Sequence, residues 1–242
     1  MTERSQVAAV WWALIMVTIF GLSLIFLMHM LPPPAAGLPV AELAQWYAER
    51  AGEIKFGAMI ASWTSASIFP MWAVIAVQIA RQHGGFGLWS VMAGVGGGMT
   101  CLLLVFPPIF WGAAAWNLDR DPAITSALHD VGVLLLVTTD QAYILCWVAL
   151  IVTCLGPQSK SNSPFPRWFG YFNICFVLAA ELGAVAWLTK TGPFAWEGLF
   201  PFWIPFLFFG LWIPIAAFLL LRALNAQRRA AATVAQEPVL TA

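Results

Sequence analysis

Too few charges are present for a water-soluble fold. Asp, Glu, Lys and Arg together make up 9% of the chain, where a soluble domain carries about 25%. The formal net charge is zero, so no basic surface points to a nucleic-acid partner. The four cysteines, Cys101, Cys146, Cys154 and Cys175, form no CxxC pair and fall inside apolar runs. That spacing suits buried thiols rather than a redox motif. Histidine is as scarce, at three residues, so no metal site and no metal cofactor is expected. A glycine run at Gly94, Gly96, Gly97 and Gly98 is not a phosphate loop, because no strand precedes it and no GK[ST] follows. An Asp-rich stretch at Asp119, Asp121 and Asp130 is too irregular for an EF-hand loop. Nothing in the chain therefore calls for a cofactor.

What remains is hydrophobic. Of 242 residues, 61% are apolar, and several runs exceed the roughly 18 residues that mark a membrane-spanning helix. The expected fold class is all-α, a polytopic helical membrane bundle with the lipid bilayer as its surroundings. Six spans are expected, at about 8–30, 56–80, 88–112, 131–155, 169–189 and 198–222. Residues 1–7 form a short polar tail and residues 223–242 a disordered one. The first apolar run is longer than a signal-peptide core, so it reads as a retained span.

Between the first two spans, Val40–Ala51 has helical spacing, with Leu43, Trp46 and Tyr47 on one side. Pro39 suits its start and Gly52 its end. This reads as a short helix on the membrane surface, with Trp46 and Tyr47 at headgroup level. Pro70 is expected to kink the second span, and Pro107-Pro108 to end or bend the third. Ser90, Gly94 and Gly98 have small-xxx-small spacing, which allows a neighbouring backbone to approach. Asp121 is a good N-cap with Pro122 behind it, so the fourth helix begins near Pro122.

An even span count puts both termini on one side. That side carries Arg4, Arg81, Lys160, Arg167, Arg222, Arg228 and Arg229, against Arg50, Lys55, Arg120 and Lys190 opposite. The bias favours cytoplasmic termini, in a bacterial plasma (inner) membrane.

Two acids lie deep in apolar segments. Asp140 is nine residues past Val131, and Glu181 is nine before Lys190. At ~1.5 Å per residue each lies about 13–14 Å deep, near the middle of a ~30 Å core. No Lys or Arg shares that depth, and an ionisable group there is by default a functional candidate. Ser65 reaches a similar depth, and Thr139 and Gln141 flank Asp140. His129, eleven residues before Asp140, falls within ~20° of the same helical face. It reads either as the mouth of a polar track to Asp140 or as a histidine solvated at the interface.

Glu49–Lys55, Arg120–Asp130, Pro166–Tyr171 and Thr191–Trp196 together resemble a family of uncharacterised bacterial six-span integral membrane proteins. The resemblance covers most of the chain. It implies the span count and carries no activity. Three functions fit these residues. One is binding or transport of a small hydrophobic or cationic molecule at a buried carboxylate pair. Another is intramembrane acid–base chemistry on a lipid-like substrate. The third is an accessory role, with a homo-oligomer or membrane-complex partner.

Overall fold

The computed structural model describes residues 3–138, 144–157 and 162–236, the last three without their side chains. It is helical throughout, with no strand among the described residues. The helices are α1 (Glu3–Phe26), α2 (Val40–Thr64), α3 (Phe69–His83), α4 (Leu88–Trp116), α5 (Pro122–Thr138), α6 (Ile144–Leu155), α7 (Arg167–Ala180) and α8 (Ile204–Gln236). Two 3-10 turns, Glu181–Trp187 and Gly192–Phe194, and a π-turn, Leu199–Trp203, link α7 to α8. Among the described residues, five helical stretches are long and apolar enough to cross a membrane, namely 3–26, 40–83, 88–116, 167–187 and 192–233. The expected fourth span is represented by α5 and α6, two shorter apolar helices on either side of undescribed residues 139–143.

Local chemistry explains most helix ends. Asp121 accepts a hydrogen bond from Ala123 N at 2.9 Å, capping α5. Gly84 stands at φ +81 after α3, and Gly85 N donates to Ala80 O at 2.8 Å. That is the left-handed stop for which glycine is suited. Pro70, with no N–H to donate, does more than kink its helix. Residues 65–68 leave the α-helical pattern as a turn, and α3 restarts with Pro70 in its first turn.

Four expectations need correction. The surface helix is not a separate element: α2 runs unbroken from Val40 to Thr64, because no proline interrupts it and Gly52 alone does not stop a helix. Its Tyr47 is fully buried in protein rather than lying at headgroup level. Of the two outcomes expected at Pro107-Pro108, an end or a bend, the end is overturned, since α4 continues to Trp116. Finally, α8 passes Arg222 and continues to Gln236, so residues 223–236 are helix and not a disordered tail.

The core is dominated by indoles. Trp72, Trp147 and Trp212 are all buried. Trp72 stacks on Trp212 at 4.9 Å and meets Trp147 edge-on at 5.1 Å. Trp212 Nε1 donates to Asn173 Oδ1 at 2.8 Å, joining α7 to α8. Where α4 meets α3 and α6, the closest approach is at Gly96 and Gly97, and Gly98 is tight as well, a Cβ there standing 3.3 Å from Phe69 Cε2. A Cβ on Gly96 would stand 2.9 Å from Cys146, and one on Gly97 would overlap Trp72. At Gly94 the nearest atom, Ala76 Cβ, would be an ordinary 3.6 Å away.

The two ends of the bundle are tied differently. At the end that holds the termini, three buried amides join α1, α3 and α8. Gln78 Nε2 donates to Gln6 Oε1 at 2.8 Å, and Gln227 Nε2 donates to Gln78 Oε1 at 3.0 Å. At the distal end, the connection 27–39 forms a strap. His29 pairs with Glu53 at 2.7 Å, Trp196 Nε1 donates to Pro34 O at 2.8 Å, and Ala36 N donates to Glu197 Oε2 at 3.1 Å.

Candidate functional site

Residues 139–143 are not described, so Thr139, Asp140 and Gln141 lie outside the described residues, as does their expected meeting with Glu181. Glu181 is half-buried and opens the 3-10 turn 181–187, where α7 gives up its α-helical hydrogen bonding. That turn packs against α5, the helix that leads towards Asp140. Ser65 is buried in the turn between α2 and α3.

His129 is fully buried, which overturns the reading of a solvated interfacial histidine. Its Nδ1 is 2.9 Å from the Tyr47 hydroxyl. The imidazole tautomer sets which of the two is the donor in this hydrogen bond. Trp196 packs edge-on against the imidazole at 5.7 Å. The other ring nitrogen, Nε2, is buried without a hydrogen-bond partner among the described residues. His129 precedes the apolar run that begins at Val131, and burial pushes its pKa from 6.5 down to about 4, with Pro34 O opposing slightly. Asp130 beside it is also raised by burial, while Lys190 pulls the other way. Tyr47 and His129 are 82 residues apart. In sequence the two stood only in connections on the same side of the bundle, which did not pair them.

One opening was not foreseen. A cavity of about 450 Å³ lies between α1, α4, α5, α6, α7 and α8, within the range of small-molecule sites. Leu104, Val137, Trp147, Phe176 and Phe209 form its walls, and Leu31 closes it from the strap. Among the described residues no charged side chain lines it, and the one hydroxyl side chain there, Thr18, already donates to Leu14 O at 2.7 Å. Ala180, next to Glu181, is part of the wall. Asp140 follows the lining residue Val137 by three positions in the chain.

A space of this kind holds apolar matter well and charge poorly, because an unpaired ion there would lose its hydration with nothing to replace it. Sequence reasoning missed it because the walls read as ordinary span residues. Comparison of the chain with protein-family models, with curated proteins and with solved structures finds no match.

Proposed function

We propose that the chain is an integral membrane protein that binds a small hydrophobic molecule inside the bilayer. Of the two ligand classes that the sequence admits, hydrophobic and cationic, the lining favours the first. The carrying observation is the 450 Å³ cavity, whose described lining includes no charged side chain. Two of its wall residues, Ala180 and Val137, lie next to Glu181 and three positions before Asp140 in the chain, which supports a role for those acids in binding.

The test is saturable binding of 1-aminoanthracene, a small fluorescent hydrophobe, to the detergent-purified protein. Leu104 is buried and lines the cavity, so Leu104→Trp fills the space. Saturable emission that is lost in Leu104→Trp supports the reading. Emission that does not saturate, or that is unchanged by the filled cavity in a folded variant, rules it out.

A further inference from the structure

The wall of the cavity differs from side to side. On the distal side the strap 27–39 contributes Leu31 to it. Three ties, to Glu53, Trp196 and Glu197, hold that strap down. Met28 and Met30 within it are fully buried. On the side between α1 and α8 the wall is different. There it includes Gly21 of α1 and Gly210 of α8. A Cβ on either glycine would meet no other atom within 4 Å. Gly21 and Gly210 line the same cavity from two different helices. Leu22, Leu207 and Leu211 beside them are exposed, at 48%, 55% and 56%. Large apolar side chains exposed on a spanning helix face lipid.

We infer that the gap at Gly21 and Gly210 is a lateral portal, through which the hydrocarbon chain of a bilayer lipid enters the cavity while its headgroup stays outside. This rests on the cavity being a binding site, as proposed above. The physical argument has three parts. A chain already in the bilayer moves sideways into apolar walls without crossing water, and each CH₂ finds packing partners in place of neighbouring chains. A headgroup would find no compensating charge among the described lining residues and is excluded by its desolvation cost. The two glycines leave a gap where any larger side chain would stand in the path.

The test uses phosphatidylcholine with a diazirine in mid-chain, incorporated with the full-length protein into phosphatidylcholine nanodiscs. After illumination, adducts are mapped by mass spectrometry. Leu104 is only 6% exposed, so an adduct there reports a chain inside the cavity. Exposed Leu211 reports ordinary lipid contact. The expected result is labelling at both positions in the unmodified protein. In the Gly21→Leu/Gly210→Leu double variant, labelling of Leu104 should fall several-fold while that of Leu211 is retained. Both substitutions go into open space on helices, so the variant should fold, and a far-UV circular-dichroism melting curve unchanged from that of the unmodified protein checks this.

Equal labelling of Leu104 with the portal filled would overturn the route. Labelling of Leu104 by a diazirine fatty acid but not by the phospholipid would overturn the ligand class. If 1-aminoanthracene binding proves insensitive to Leu104→Trp, the underlying site fails, and that outcome is separate from failure of the portal.

Discussion

Gly97→Ala tests the packing between α3 and α4 most directly. The added carbon would stand 2.8 Å from Trp72 Cδ2, and closer still to Cβ and Cγ. Those atoms are at the root of the side chain, so a rotamer change does not remove them. The indole cannot slide either, since Trp72 is fully buried between Trp212 at 4.9 Å and Trp147 at 5.1 Å. Relief requires the two helices to separate, which disturbs the whole indole cluster. Overpacking of this kind costs about 1–3 kcal/mol, offset by up to ~1 kcal/mol from the better helix propensity of alanine. A net loss of about 1–2 kcal/mol is expected. Gly94→Ala is the control, with its added carbon 3.6 Å from Ala76 Cβ. It should keep the propensity gain and be neutral or stabilised by up to ~1 kcal/mol. Unfolding free energies in mixed micelles titrated with sodium dodecyl sulfate, followed by circular dichroism, would rank the pair. If Gly97→Ala is as stable as Gly94→Ala, the account of this interface is wrong.

Two further predictions concern the distal end. With its pKa lowered from 6.5 to about 4, His129 stays neutral in the folded protein while the unfolded chain takes up a proton. The unfolded state then binds more protons between those values, so this contribution is intact above pH 6.5 and is lost as pH falls towards 4. The loss should reach roughly 3 kcal/mol at pH 4, and His129→Asn should flatten the dependence relative to the unmodified protein, although Tyr47, Asp130 and Lys190 remain nearby. For topology, single cysteines at exposed Gln45 and Asp119, in a Cys175→Ala background, should react with an impermeant maleimide from outside intact cells. Reaction only from the cytoplasmic side would reverse the proposed orientation.

Much of the architecture was legible in order along the chain. A span announces itself because about 20 apolar residues in a row have few other stable places to be. Caps are equally local, which is why Asp121 before α5 follows from the residues around it. The Pro70 interruption was also visible, although a kink was expected and a turn over 65–68 is found. These features depend on a residue and its near neighbours in sequence.

Features that depend on a distant partner were not legible. Ser90, Gly94 and Gly98 have the expected small-residue spacing, yet Gly96 and Gly97 make the closest approach, because Cys146 and Trp72 are what stand opposite. His129 looked solvated by its neighbours in sequence and is buried because Tyr47, Trp196 and the strap converge on it. The amides of Gln6, Gln78 and Gln227 find one another across three helices. The cavity is the clearest case. Each of its walls is an ordinary apolar residue, and the space exists only because the walls, once packed, fail to meet. Sequence alone therefore determined that this chain forms helices long and apolar enough to cross a membrane, since apolar composition and backbone hydrogen bonding act along each segment. Tertiary structure decided where those helices touch and where they leave room, since packing is a property of surfaces brought together from far along the chain.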